Sequence, residues 1–114
     1  MKLTKLGLGQ TPLDGADKTY EILGKIATLT ELDLSYSEIA TLPERFGDLV
    51  NLKDLDLNYC ESLVSLSEGF GQLKSLTSLN LWSCSKLVSL SEGFGELKSL
   101  TSLNLRKCKS LVSL

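Results

Sequence analysis

Residues 63–81 read LVSLSEGFGQLKSLTSLNL and residues 87–105 read LVSLSEGFGELKSLTSLNL. Over these 19 positions only Gln72 and Glu96 differ, and the offset between the stretches is 24 residues. A repeat this tight sets the frame for the rest of the chain. Leu52, Leu55, Leu57, Cys60, Leu63, Leu66, Phe70 and Leu73 recur 24 residues later as Leu76, Leu79, Leu81, Cys84, Leu87, Leu90, Phe94 and Leu97. They return again as Leu100, Leu103, Leu105, Cys108, Leu111 and Leu114. Upstream, Leu29, Leu32, Leu34, Ser37, Ile39, Leu42, Phe46 and Leu49 fit with one residue deleted. A weaker first unit opens with Leu3, Leu6 and Leu8 and closes with Leu23 and Ile26. The units therefore run over about 3–28, 29–51, 52–75, 76–99 and 100–114, within a single domain spanning 1–114.

Spacing inside the unit predicts its structure. Leu55 and Leu57 alternate with polar residues, the pattern of a strand with one buried face. Beyond Cys60 the apolar residues fall three or four apart, at Leu63, Leu66, Phe70 and Leu73. That spacing suits a turn followed by a 3₁₀ or loose helical segment, and Gly69 and Gly71 argue against a long regular helix. One strand and one returning segment cannot bury these leucines alone. Stacking the units in register does, and it lays the strands side by side as a parallel sheet. A coiled coil is excluded, because 24 is not a multiple of seven and each unit carries glycines or a proline.

Composition narrows the function classes. Leucine accounts for 27 of the 114 residues and histidine for none, which excludes a Ser-His-Asp or Cys-His catalytic set and a His-ligated metal. Twelve basic residues against fourteen acidic ones give no preference for nucleic acid or an anionic membrane. Apolar residues come singly or in pairs, far short of the roughly 20 that span a bilayer. Residues 1–20 show no signal-peptide pattern, so the expectation is a cytoplasmic location with reduced thiols.

The pattern L-x-x-L-x-L-x-x-C-x-x-L-x-x-L, running from Leu52 through Leu55, Leu57, Cys60 and Leu63 to Leu66, resembles the leucine-rich repeat. Cysteine in place of the common asparagine, with a unit of 23–24 residues, is most similar to the cytoplasmic repeats of plant disease-resistance-type receptors. The Leu-Pro step of that subclass survives at Leu42-Pro43, with Ser67 and Ser91 replacing the proline in later units. The resemblance implies an α/β fold: a leucine-rich-repeat solenoid, a right-handed superhelix with a parallel concave sheet of about five short strands. Irregular, 3₁₀ or short helical segments would form its convex side. It also implies a ligand-sensing or autoinhibitory module, although the nucleotide-binding motor of those receptors is missing here.

Several candidate chemical sites dissolve into the repeat. Cys60, Cys84 and Cys108 recur every 24 residues, which reads as a column of small buried residues and not as C-x-x-C metal pairs. Gly69-Phe70-Gly71 recurs as Gly93-Phe94-Gly95, and Gly7-Leu8-Gly9 meets Pro12 where a dinucleotide fingerprint needs its third glycine. Neither is a phosphate loop. No cofactor and no metal site is expected, and the chain reads as a non-enzyme.

What varies between units is more informative. In a leucine-rich repeat the positions flanking the strand leucines point outward on the concave face. The first runs Lys5, Glu31, Asp54, Ser78, Ser102 and the second Gly7, Asp33, Asp56, Asn80, Asn104. The third runs Gly9, Ser35, Asn58, Trp82, Arg106, and the next Gln10, Tyr36, Tyr59, Ser83, Lys107. Glu31, Asp33, Asp54 and Asp56 thus cluster beside Tyr36 and Tyr59, while the last rungs offer Trp82 and Arg106. Carboxylates about 5 Å apart repel by roughly 1–3 kcal/mol near a surface. Either solvent tolerates the cluster or a basic partner offsets it. Exposed Tyr and Trp beside charges favour the second reading. The expected partner surface is Glu31, Asp33, Tyr36, Asp54, Asp56, Asn58, Tyr59, Asn80, Trp82, Asn104 and Arg106, facing a protein with a basic patch. Net charge of −4 over residues 1–58 and +2 over 59–114 would orient that partner.

The expected function is a non-catalytic protein–protein interaction module, the sensing part of a larger signalling or immune receptor. The alternative is a purely structural repeat segment of a multidomain protein, without a partner of its own. At the ends, Asp17 is a candidate cap for a short helix over 18–25. The uncapped C-terminal end leaves three readings open: a fragment of a longer array, self-association, or low stability.

Overall fold

The computed structural model describes residues 5–7, 28–42, 44–66, 68–90 and 92–112. Its strands are β1 (Lys5–Gly7), β2 (Glu31–Asp33), β3 (Asp54–Asp56), β4 (Ser78–Asn80) and β5 (Ser102–Asn104). They form one parallel sheet in chain order. The register follows the repeat: Leu32 pairs with Leu55, Leu55 with Leu79, and Leu79 with Leu103. Three 3₁₀ segments, Glu44–Asp48, Glu68–Gln72 and Glu92–Glu96, return the chain along the opposite side. This is the repeat solenoid that the spacing predicts, with a sheet of five parallel strands and, among the described residues, 3₁₀ turns as its convex segments. The remainder of the first unit, including Leu3, Leu8, Gly9, Gln10, Leu23, Ile26 and the Asp17-capped helix, lies outside the described residues, as do Ser67 and Ser91.

β2, β3 and β4 each contribute one inward side chain, because alternate residues of a strand face opposite sides. Leu32, Leu55 and Leu79 are buried, and Leu34, Leu57 and Leu81 follow them into the interior as each strand ends. On the far side Phe46, Phe70 and Phe94 stack as a second column, with ring centroids 6.4 and 6.3 Å apart. Neighbouring parallel strands lie only about 4.7–4.9 Å apart. Each rung is therefore thicker at its phenylalanine than at its strand. A stack of wedges bends, and the sheet takes the inner side of the bend.

The cysteine column is a hydrogen-bonding element. Cys60, Cys84 and Cys108 donate from Sγ to the carbonyls of Leu34, Leu57 and Leu81, one rung earlier, at 3.2, 3.2 and 3.1 Å. The carbonyls of Leu57 and Leu81 also accept the N–H of Cys60 and Cys84 in their own turns. Ser37 takes the column's place in the second rung, with Oγ 3.4 Å from Cys60 Sγ. A small side chain with a weak donor satisfies a second lone pair on a buried carbonyl, which a leucine would leave bare. All three cysteines are free thiols. Burial pushes them up, Cys84 to about 12, so none is a thiolate nucleophile near neutral pH.

Glycine spacing also has a packing cause. A Cβ on Gly47 would run into the carbonyl oxygen of Gly69, and one on Gly71 would sit 2.5 Å from that of Gly93. Adjacent 3₁₀ segments touch backbone to backbone at these two positions, and the recurring Gly-Phe-Gly serves that approach.

Candidate protein-binding face

The four variable columns do not share one backbone setting. The first two lie on the strands, where Glu31 is opposite Asp54 and Asp33 is opposite Asp56. The last two, including Tyr36, Asn58, Tyr59, Trp82 and Arg106, lie in the turn that follows each strand. Ser35, aligned with Asn58 and Trp82, is buried. The outward face is thus narrower than an alternation rule alone suggests: two strand columns and a turn margin.

The second column has a structural task. Asp33, Asp56, Asn80 and Asn104 each accept, through Oδ1, the N–H two residues ahead: Ser35, Asn58, Trp82 and Arg106, at 2.8–3.0 Å. This is an Asx turn repeated in four rungs, and it explains why the column is Asp or Asn from β2 to β5. The residue after the capped one then enters the left-handed region, with φ of 62° at Tyr36, 58° at Tyr59, 61° at Ser83 and 61° at Lys107. In that conformation the N–H of Tyr36, Tyr59 and Ser83 reaches the carbonyl of Asn58, Trp82 and Arg106 in the next rung, at 2.8–3.0 Å. Reading the acidic residues as charges alone misses this use of their oxygens. The run of Asp or Asn from Asp33 to Asn104 was the available signal.

Electrostatics follow from the stacking. Burial pushes the Asp56 carboxyl above the usual carboxylate range, and the neighbouring Asp33 carboxylate adds to the shift, while the Asn58 N–H opposes it. Among the described residues, no group of three or more His, Cys, Asp or Glu is arranged to hold a metal ion. Asn58 Oδ1 is a buried atom without a hydrogen-bond partner, so that oxygen is out of a ligand's reach.

Aromatic residues form the margin of the face. Tyr36 and Tyr59 stack with ring centroids 4.8 Å apart and planes 6° from parallel. Trp82 meets Tyr59 edge to face, at 5.2 Å and 61°. The repeat alone pairs Tyr36 with Tyr59; the contact between Tyr59 and Trp82 crosses from one column to the next. Tyr36 remains 48% exposed and Tyr59 and Trp82 are half-buried, so three rungs present one continuous aromatic strip beside the carboxylates. Asn104 and the exposed Arg106 lie two rungs from the acidic pairs and do not join them. A separate cleft of about 440 Å³ is lined by Lys74, Glu96 and Lys98 and contains none of the predicted face residues. Among the described residues, no helix is long and apolar enough to cross a membrane.

The Leucine Rich Repeat family profile matches residues 28–49. No curated protein sequence matches the chain. Among solved structures, the chain is similar to the leucine-rich-repeat domain of the type III effector XopL, at 30% identity and a TM-score of 0.72 over 78% of this chain and 30% of that one. It is also similar to the Arabidopsis receptor kinase HAESA, solved with the peptide hormone IDA and the co-receptor SERK1. There the identity is 28% and the TM-score 0.68, over 91% of this chain and 17% of the receptor. A leucine-rich-repeat protein of Leptospira interrogans aligns at 26% identity and a TM-score of 0.61, over 96% of this chain and 36% of its own. The chain spans about a third or less of the length of these structures.

Proposed function

We propose that this leucine-rich-repeat protein is a non-catalytic binding module whose concave sheet takes an extended, basic segment of a protein partner. The observation that carries the reading is the strip Tyr36–Tyr59–Trp82 lying open beside the paired carboxylates of β2 and β3. Rings of this kind provide rigid apolar area at small entropic cost, and carboxylates aligned on adjacent strands steer and orient a cationic segment. Glu31, Asp33, Asp54 and Asp56 would meet its basic side chains, and Tyr36, Tyr59 and Trp82 its apolar stems. Asn80, Asn104 and Arg106 extend the contact toward the C-terminal rungs. Similarity to HAESA, which was solved with a peptide hormone, supports a peptide-like occupant.

In this reading the chain is the ligand-sensing part of a larger cytoplasmic signalling or immune receptor, in line with the resemblance of its cysteine-containing repeats to those of plant disease-resistance-type receptors. A displayed library of random peptides tests it. Selected peptides are expected to be rich in Lys and Arg, to lose affinity as salt rises, and to bind at least about tenfold more weakly to the variant E31Q/D33N/D54N/D56N. Asparagine keeps the Asx cap while removing the charge. Selection without basic enrichment, or equal binding by the neutral variant, overturns the proposed partner class.

A further inference from the structure

Between its strand and its 3₁₀ segment each rung contributes to a second, shorter ladder along the flank of the solenoid. Thr41 bridges Ser65 in parallel, and Ser65 bridges Ser89. The N–H groups of Val64, Val88 and Val112 reach the carbonyls of Ala40, Val64 and Val88 at 2.8–3.0 Å. Leu63 and Leu87 turn inward and are fully buried, whereas the next residues, Val64 and Val88, are 42% and 41% exposed. Ala40 holds the same position one rung earlier and is exposed too. The ladder keeps these side chains in register, so Ala40, Val64 and Val88 form an apolar stripe with about 4.8 Å between rungs. Threonine would suit extended backbone there and carry a hydroxyl, so backbone preference alone does not account for the stripe.

The border of the stripe changes sign along its length. The turn just before each stripe residue carries Glu38 in the second rung, Glu61 in the third, Lys86 in the fourth and Lys109 in the fifth, all exposed. Leu63, Leu87 and Leu111 close that turn by donating their N–H to the carbonyls of Cys60, Cys84 and Cys108, at 3.1–3.2 Å. Glu61, Lys86 and Lys109 therefore sit at corners held by the backbone. The change from acidic to basic falls between Val64 and Val88.

This order is complementary to itself under a two-fold axis. A second copy laid flank to flank and turned end for end sets Val64 against the partner's Val88 when the axis passes between the third and fourth rungs. The same rotation brings Glu61 opposite the partner's Lys86 and Glu38 opposite the partner's Lys109. Each contact occurs twice, as an isologous interface requires. Sliding the partner by one rung would set Lys86 against its own counterpart, or Glu61 against its own. The charges thus fix the register, and the valines supply the buried apolar area.

We infer that the valine flank is a self-association surface on which a second copy of this chain pairs antiparallel. It uses none of the outward strand positions of the sheet, so it is separate from the proposed binding face.

Sedimentation equilibrium of the full chain tests the pairing with two charge-swapped variants. E38K/E61K makes the border uniformly basic, and K86E/K109E makes it uniformly acidic. The unaltered chain should form a dimer that weakens as salt rises. Each variant alone should dimerise at least about tenfold more weakly, and an equimolar mixture of the two should dimerise at least as tightly as the unaltered chain. V64N/V88N should also weaken the dimer, with its circular dichroism spectrum unchanged. An unaltered chain that sediments as a monomer at about 1 mM, or a dimer that keeps its affinity in both swapped variants, overturns the assignment. Dimerisation that is lost in the swapped variants and not recovered in their mixture overturns the antiparallel register.

Discussion

The ring of Phe46 lies 6.4 Å from the ring of Phe70, in planes 5° from parallel. On the other side of the same two rungs, Tyr36 and Tyr59 stack at 4.8 Å. The difference makes each rung a wedge, so the phenylalanine column curves the sheet as well as filling the core. A concave face follows from that column.

Truncating the central ring should show its weight. Phe70 is fully buried between Phe46 and Phe94, and Phe70→Ala should destabilise the chain by about 3–5 kcal/mol through lost burial and the cavity left behind. Phe94→Ala, at a partly exposed position, should cost clearly less. Urea denaturation of both variants measures the difference, and equal losses would contradict the packing described.

Glycine substitutions separate an interior contact from the open end. Gly71→Ala forces a Cβ against the carbonyl of Gly93 and should cost about 1–3 kcal/mol, the usual range for overpacking. Gly95→Ala meets no such neighbour and should be neutral or slightly stabilising. Thermal midpoints of the two variants, compared side by side, check the pair.

Asp56 should make the chain less stable as pH rises through its raised pKa. A carboxyl whose folded pKa lies above its unfolded value binds protons more tightly in the folded state, so its contribution is complete below about 3.9 and declines above it. This is the reverse of an ion-paired aspartate. Asp56→Asn keeps the bond to the Asn58 N–H and removes the titration, so the stability difference between wild type and variant should narrow on acidification. Asp56→Ala loses the cap as well and should fall below the Asn variant by about 0.5–1.5 kcal/mol. Denaturation of the three proteins at neutral pH and near pH 4 reads both effects.

The thiols should be slow toward alkylating reagents in the order their burial dictates. Cys108 is partly exposed and should react first, with Cys60 and Cys84 modified only as the chain opens. Cys84, raised to about 12, favours folding while protonated, so stability should decline as pH climbs above the ordinary thiol value toward 12. Cys84→Ser retains a donor for the Leu57 carbonyl and should cost less than Cys84→Val, which leaves that acceptor with one partner fewer. Mass spectrometry of timed alkylation and denaturation at pH 7 and 10 check these outcomes.

Much of this architecture was legible in the order of residues. An offset of 24 between near-identical stretches places Leu55 on Leu79 and Phe70 on Phe94 before any coordinate is known, because identical units can bury identical leucines only by stacking in register. The columns Glu31–Asp54 and Asp33–Asp56 followed from the same arithmetic. The Asx turns have a signature in the run Asp33, Asp56, Asn80, Asn104, because Asp and Asn share the side-chain oxygen that accepts the N–H while only Asp carries charge.

Other properties arise only between rungs. That Tyr36 and Tyr59 take positive φ is decided by N–H groups reaching carbonyls more than twenty residues away. That Trp82 meets Tyr59 edge-on depends on how far one turn leans over the next. Leu79 and Leu103 have the same neighbours in sequence, yet one is buried and the other 40% exposed. A periodic sequence specifies the contacts each unit is able to make. Which of them are made depends on what lies above and below in the stack, and only the assembled structure contains that information.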